Sequence, residues 1–195
     1  MKRYYEQRAA EYDEWYEGTG VFAARERPGW VADREALVRT IAALSPARTL
    51  DVACGTGYLT RHLAGEVVGL DQSASMIEIA SARLPSARFV RADALPLPFA
   101  DRSFERVFTG HFYGHLTEEE RVRFLDEARR VAGELVVVDA ALRPDHAPEE
   151  WQERVLNDGS RHEVYKRYIS AGGLAGELGG GEVLHAGPWF VAVCS

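Results

Sequence analysis

Thr49-Leu50-Asp51-Val52-Ala53-Cys54-Gly55-Thr56-Gly57 decides how this chain of 195 residues is read. A short run of strand-forming residues passes straight into Gly-x-Gly and a helix start, the order of elements at a nucleotide-binding turn. Glycines carry no Cβ, so the backbone can approach a ligand closely, and the opening of a helix offers unpaired N–H groups. Towards the C-terminus the pattern repeats. Glu66 to Asp71 reads as a second strand and Ser75 to Leu84 as a helix, with Ser75 and Glu78 at capping-box spacing and Ser73 an equally good cap. Arg88 to Arg91 is a third strand, followed by Asp93 and Ala94; Glu105 to Thr109 is a fourth and Glu134 to Asp139 a fifth. Strands alternating with helices predict an α/β domain with a mostly parallel sheet.

Outside this block the signals are more varied. Glu118 to Ala132 is the clearest helix, with Thr117 and Glu120 as a capping box, an acidic first turn, Arg129 and Arg130 in the last turn and Gly133 beyond. A short helix is expected after Gly57, with Leu59 and Leu63 on one face. Upstream, Lys2 to Glu17 places Tyr5, Tyr12 and Tyr16 near one helical face before Gly18-Thr19-Gly20. Pro28-Gly29 introduces a helix carrying Leu37, Val38, Ile41 and Leu44, which Pro46 stops. Val183 to Cys194 reads as two strands joined at Gly187-Pro188. Pro144 to Gly181 reads as a less regular insert with a helix near Tyr165 to Leu178. One domain over 1–195 is expected, with 1–46 forming an N-terminal helical lid and first helix and 143–181 an insert.

Composition narrows the function. Thirty acidic residues against 23 Lys and Arg give a net charge of −7, which argues against a dedicated nucleic-acid partner. The longest aliphatic run, Leu135 to Val138, is far short of the roughly 20 residues of a membrane span. Met1 to Glu6 is charged and aromatic and lacks the apolar core of a signal peptide. Two cysteines, Cys54 and Cys194, make neither a disulfide framework nor a four-ligand zinc site, so no metal is expected and a cytoplasmic home is the simplest reading.

Asp71 and Asp93 each follow a strand, where open α/β sheets bind ligands; a carboxylate at the first can accept hydrogen bonds from a ribose diol. The dinucleotide pattern Gly-x-Gly-x-x-Gly competes, but Thr60 occupies its third glycine position. A nicotinamide-dependent oxidoreductase is therefore the weaker alternative, and a non-catalytic nucleoside-binding regulator is another.

Thr49 to Gly57, Val68 to Asp71 and Arg91-Ala92-Asp93-Ala94-Leu95-Pro96-Leu97-Pro98-Phe99 together closely resemble the class I S-adenosylmethionine-dependent methyltransferases, within them the small-molecule branch of ubiquinone and menaquinone biosynthesis. Ala53 departs from the glycine of many relatives. The resemblance implies a Rossmann-like seven-stranded sheet of order 3-2-1-4-5-7-6, last strand antiparallel, with helices on both faces. It implies S-adenosylmethionine as cofactor, S-adenosylhomocysteine as product and a small-molecule acceptor. By position, Ala53, Gly55 and Gly57 would form the turn beneath the cofactor, and Asp51 would order that turn or reach the amino group through water. Asp71 would bind the ribose, Gln72 and Met76 would lie near the adenine, and Asp93 and Ala94 would meet its amino edge. The Thr109 carbonyl would face the methionine ammonium, and Tyr5 and Tyr12 would form a lid.

Methyl transfer from a sulfonium is an in-line displacement, so alignment and the removal of at most one proton suffice. His111 and His115 follow the fourth strand; with ordinary pKa values of about 6.5 they are the candidate bases, His111 preferred as nearer the strand end. The insert, with Trp151, Arg154, His162, Tyr165, Lys166, Arg167 and Tyr168, is expected to wall the acceptor site; its basic, aromatic stretch suits an anionic or planar acceptor.

Overall fold

The strand-forming runs read from the sequence form strands β1 (Thr49–Val52), β2 (Val67–Asp71), β3 (Arg88–Arg91), β4 (Arg106–Gly110) and β5 (Glu134–Ala140) in a computed structural model that describes residues 2–144 and 147–195. Of the expected ranges, only Met1, Asp145 and His146 fall outside the described residues. These five strands pair in parallel. A hairpin, β6 (Glu149–Val155) and β7 (Arg161–Arg167), makes a separate two-stranded sheet. β8 (Glu182–Ala186) and β9 (Phe190–Cys194) complete the main sheet, β9 running antiparallel to β5. The order is β3-β2-β1-β4-β5-β9-β8. With the hairpin counted apart, β9 and β8 take the places expected of strands seven and six.

Burial on both faces explains the unbroken aliphatic runs, since a central parallel strand has no wet side. Alternate residues go to opposite faces. Val107 and Val137 pack with Phe124, Leu125 and Leu174, which belong to helices on one side; Phe108, Val136 and Val138 pack with Leu37 and Ile41 on the other. Each fully buried Leu, Ile, Val or Phe contributes about 1.5–3 kcal/mol. The helices are α1 (Lys2–Arg8), α2 (Glu14–Glu17), α3 (Trp30–Ala42), α4 (Ala74–Arg83), α5 (Glu118–Val131) and α6 (Ala171–Glu177). The capping box of Thr117 and Glu120 opens α5 as expected. Among the described residues no helix is long and apolar enough to cross a membrane.

Three local expectations differ in the structure, and one open alternative is decided. The N-terminal helix is broken into α1, a 3-10 turn at Ala9–Glu11 and α2, ending where Gly18 turns left-handed at φ 73°. After Gly57 there is only a 3-10 turn, Thr60–His62, because the Thr60 hydroxyl donates to Asp51 and Leu63 is already extended on the way to β2. Ser73, not Ser75, caps α4: its hydroxyl accepts from the Met76 N–H, while the Ser75 hydroxyl donates to Glu6. The insert is an ordered hairpin, and its helix starts at Ala171 rather than near Tyr165. Charged residues on both faces of the hairpin hide its two-residue period, and the turn uses Gly159 at φ 81°.

Candidate active site

The C-terminal ends of β1 to β4 open onto a hollow of about 280 Å³, beside the switch in strand order between β1 and β4. Ala53, Gly55, Asp71, Gln72, Met76, Asp93 and Ala94 line it. Asp71, 8% exposed, accepts the Gly55 N–H at 3.0 Å on one carboxylate oxygen and the Ser73 N–H at 2.9 Å on the other. Burial raises this carboxyl above its ordinary value, and those backbone N–H groups offset only part of the rise. An ionised carboxylate offers about four lone pairs, so acceptor capacity remains on the hollow side. A Cβ on Gly55 would stand 3.5 Å from the Tyr12 ring, in the space between turn and lid. Ala53 holds φ 58°, a left-handed conformation that costs a residue with a Cβ about 1–3 kcal/mol.

Asp51, Gly57 and Thr109 do not line the hollow. Asp51 is buried beneath the turn, where its carboxylate accepts from the Thr60 hydroxyl at 2.6 Å and desolvation pushes its pKa up to about 7. Gly57 faces α4; a Cβ there would meet Ala80 at 3.4 Å and Leu84 at 3.5 Å. The Thr109 hydroxyl donates to the Val52 carbonyl at 2.8 Å, and β4 runs one residue further, so Gly110 reaches the hollow instead.

The N-terminal segment is tied down over this turn by contacts that spacing alone does not reveal. Glu6 accepts from the Ala74 and Ser75 N–H groups at 3.0 and 3.2 Å, at the start of α4. Asp13 accepts from the Thr56 hydroxyl at 2.6 Å and pairs with Arg83, which also donates to the Thr56 carbonyl. Tyr5 and Tyr12 are thereby held across the mouth, and burial raises both phenols.

A second hollow, about 660 Å³, adjoins the first. Tyr5, Tyr12, His111 and His115 line both and so form a common wall. From the insert, Trp151, Arg154, Lys166 and Tyr168 face the second hollow, whereas His162, Tyr165 and Arg167 do not. Arg8, Arg25, Arg27 and Trp30 also line it; none was singled out from the sequence, although Arg8 lies one helical turn from Tyr4 and Tyr12.

The two histidines differ. His115 Nδ1 lies 2.6 Å from the Tyr165 carbonyl, which can only accept, so Nδ1 carries the proton and Nε2 the lone pair. His111 holds φ 58° and packs against Trp15 and Phe190; its Nδ1 is 3.9 Å from Asp139, and its buried Nε2 has no partner among the described residues. Burial lowers the pKa of His111 to about 4 and of His115 to about 3, leaving both rings neutral. Burial alone would raise Asp139, but Lys166 and the histidines hold it at about 2.

These shifts set an acid limit. Below about pH 6.5 the unfolded chain protonates both histidines while the folded chain does not, so stability falls as pH drops towards 4. Asp51 acts in the opposite sense, because its folded carboxyl keeps a proton that the unfolded one loses above about pH 4. Two histidines against one carboxyl leave roughly one net proton, or about 1.4 kcal/mol per pH unit. Thermal melts of the ligand-free protein should lose roughly 3–6 °C from pH 5.5 to 4.5, and His115→Asn should flatten that slope. An equally steep slope in the variant would contradict the assignment.

Known proteins of similar sequence and structure are methyltransferases or cofactor complexes of related fold. A methyltransferase domain model matches residues 49–134. The demethylmenaquinone methyltransferase of Thermotoga maritima is 39% identical over 116 residues, covering 54% of this chain and 49% of that protein. Phthiotriol/phenolphthiotriol dimycocerosates methyltransferase 1 of Mycobacterium ulcerans is 38% identical over 141 residues, covering 66% and 49%. The chain thus spans about half the length of these curated relatives. Among solved structures, the DhpI–SAH complex is similar at 30% identity and a TM-score of 0.75, covering 98% of this chain and 92% of that one. The chain belongs to the class I S-adenosylmethionine-dependent methyltransferases.

Proposed function

We propose that this protein binds S-adenosylmethionine in the strand-end hollow and methylates an oxygen or nitrogen of a small molecule held in the adjoining one. The observation that carries the reading is the common wall. Tyr5, Tyr12, His111 and His115 bound both hollows, so a methyl donor and an acceptor can meet there without crossing the protein. When bound, S-adenosylmethionine supplies an activated methyl group on a good leaving group.

The residues fit that occupant. Asp71 has lone pairs left for two ribose hydroxyls, and Gly55 lacks the Cβ that would enter the cradle. Gln72 and Met76 contact the adenine, while Asp93 and Ala94 meet its amino edge. Ala53 lets the turn pass beneath, Asp51 orders it through Thr60, and Gly57 seats it on α4. The Thr109 carbonyl, next to Gly110 at the end of β4, would take the cofactor's ammonium. Tyr5 and Tyr12 close over the cofactor and present ring faces to a positive sulfur. The whole chain acts as one domain, with 1–46 as lid and first helix and 143–181 as a wall of the acceptor hollow.

Alignment supplies most of the rate, with one proton to remove from a neutral acceptor. The Nδ1 hydrogen bond to Tyr165 favours His115 as the base, because it leaves the Nε2 lone pair available. His111, preferred from its position in the sequence, shapes the common wall with its ring, while its Nε2 is buried.

Thermal shift with separate ligands tests the reading. At a hundred times its Kd, S-adenosylmethionine or S-adenosylhomocysteine should stabilise by about 2.7 kcal/mol, with no gain from NAD. Stabilisation by NAD alone would turn the assignment towards the oxidoreductase. S-adenosylhomocysteine release across a panel of hydroxyl and amine compounds should then identify turnover, and His115→Ala should lower kcat with cofactor Kd unchanged. Cofactor binding without turnover on any acceptor would favour the regulator.

A further inference from the structure

Arg8 is a buried charge that no carboxylate among the described residues neutralises. It is 7% exposed, and its only hydrogen-bond partner among the described residues is the Tyr4 hydroxyl. The rings of Tyr4, Tyr12 and Phe22 surround the guanidinium, with centroids at 5.5, 5.1 and 5.9 Å. Among the described residues no carboxylate forms an ion pair with it. Aromatic faces offset only about 0.5–2 kcal/mol, whereas an ion removed from water costs several. A buried guanidinium with most of its N–H groups unused, lining a hollow of about 660 Å³, is preorganised for a ligand that brings negative charge.

The surroundings reinforce this. Arg25, Arg27 and Arg154 line the same hollow, and none of them forms an ion pair with a carboxylate among the described residues. Arg27 donates to the Trp15 carbonyl and lies 4.0 Å over the Trp30 ring; Arg154 donates to Gln152. Lys166, by contrast, is matched by Asp139. Of the acids lining the hollow, Glu11 accepts from the Asn157 N–H and Glu153 pairs with Arg161; Glu26 and Glu150 also face it. In a chain of net charge −7, four guanidiniums without carboxylate partners around one hollow are a local reversal of sign.

We infer that the acceptor bears an oxyanion, a carboxylate or a tetrahedral phosphoryl group, and that Arg8 is its buried anchor. The inference rests on the methyltransferase reading for the word acceptor. The charge argument itself does not need it. Arg8 forks can bind either oxyanion bidentately, and Arg25, Arg27 and Arg154 attract it from solvent. Arg8 also stacks on Tyr12, which walls the cofactor hollow, so the test must separate an acceptor's oxyanion from the cofactor's own carboxylate.

Titration calorimetry on the full chain, saturated with S-adenosylhomocysteine and at ionic strength held constant with chloride, would use inorganic phosphate, acetate and neutral glycerol. Phosphate or acetate should bind and glycerol should not, and the tighter anion identifies the oxyanion class. Arg8→Met keeps an apolar stem against the three rings. It should weaken anion binding at least 10-fold while changing the Kd for S-adenosylhomocysteine less than 2-fold. Arg8→Lys, charged but without the fork, should fall between. If Arg8→Met does not fold, Arg154→Gln should still weaken the anion about 3-fold or more.

A 10-fold loss of S-adenosylhomocysteine affinity in Arg8→Met would assign Arg8 to the cofactor's carboxylate and overturn the inference. So would cofactor binding with no affinity for either anion, a result that leaves the methyltransferase reading intact. Anion binding by a protein that takes up no S-adenosylhomocysteine would overturn the acceptor assignment together with that reading.

Discussion

Asp71→Asn should weaken S-adenosylhomocysteine binding by at least 100-fold. The carboxylate has two duties that an amide cannot share. It accepts the Gly55 and Ser73 N–H groups at 3.0 and 2.9 Å, and its remaining lone pairs face the hollow where a ribose would lie. An amide has one oxygen, so either orientation turns an NH2 against a backbone N–H. Hydrogen bonds to a charged group are worth about 1.5–3 kcal/mol each. Losing two of them to ribose hydroxyls amounts to about 3–6 kcal/mol, or two to four decades of affinity. Calorimetry measures this directly, and the melt of the ligand-free variant gives the share due to the loosened turn. A Kd within 3-fold of the parent would remove Asp71 from the cofactor site.

Asp139→Ala should be the most destabilising single substitution near the site. Asp139 is 0% exposed and accepts from the Lys166 ammonium and, at 2.7 Å, from the Gly114 N–H. Removing it strands a buried ammonium and a buried N–H, for which about 3–5 kcal/mol is expected. For a chain of this length that is a fall in Tm of roughly 10 °C or more. Adding Lys166→Met removes the stranded charge, so the double variant should recover most of the loss. A double variant no more stable than the single one would show that the pair is not the cause. The pair joins β5 to the hairpin strand β7 and so holds a wall of the second hollow in place.

How far the sequence could be read follows from the range of each interaction. The central strands were legible because a central parallel strand is buried on both faces and shows as an aliphatic run, and Asp71 because it ends such a run. α5 was legible because its capping box spans only three residues. The hairpin β6–β7 was not, since most of its side chains are polar on both faces and its buried Val164 and Lys166 find their partners elsewhere in the fold. The partner of the Thr109 hydroxyl, the Val52 carbonyl on the neighbouring strand, was not legible either, since it lies 57 residues away in sequence.

By itself, then, the order of residues determined the sheet, the glycine turn and the acidic strand ends, because backbone sterics and local burial act within a few positions. Tertiary structure alone decided that Glu6 and Asp13 hold the N-terminal segment over that turn. It also decided which nitrogen of His115 keeps its lone pair, and that guanidiniums from α1, the Arg25–Arg27 stretch and β6 meet in one hollow. Those outcomes depend on charges and donors distant in sequence being removed from water together. Desolvation of that kind is a property of three-dimensional neighbourhood, which residue spacing does not encode.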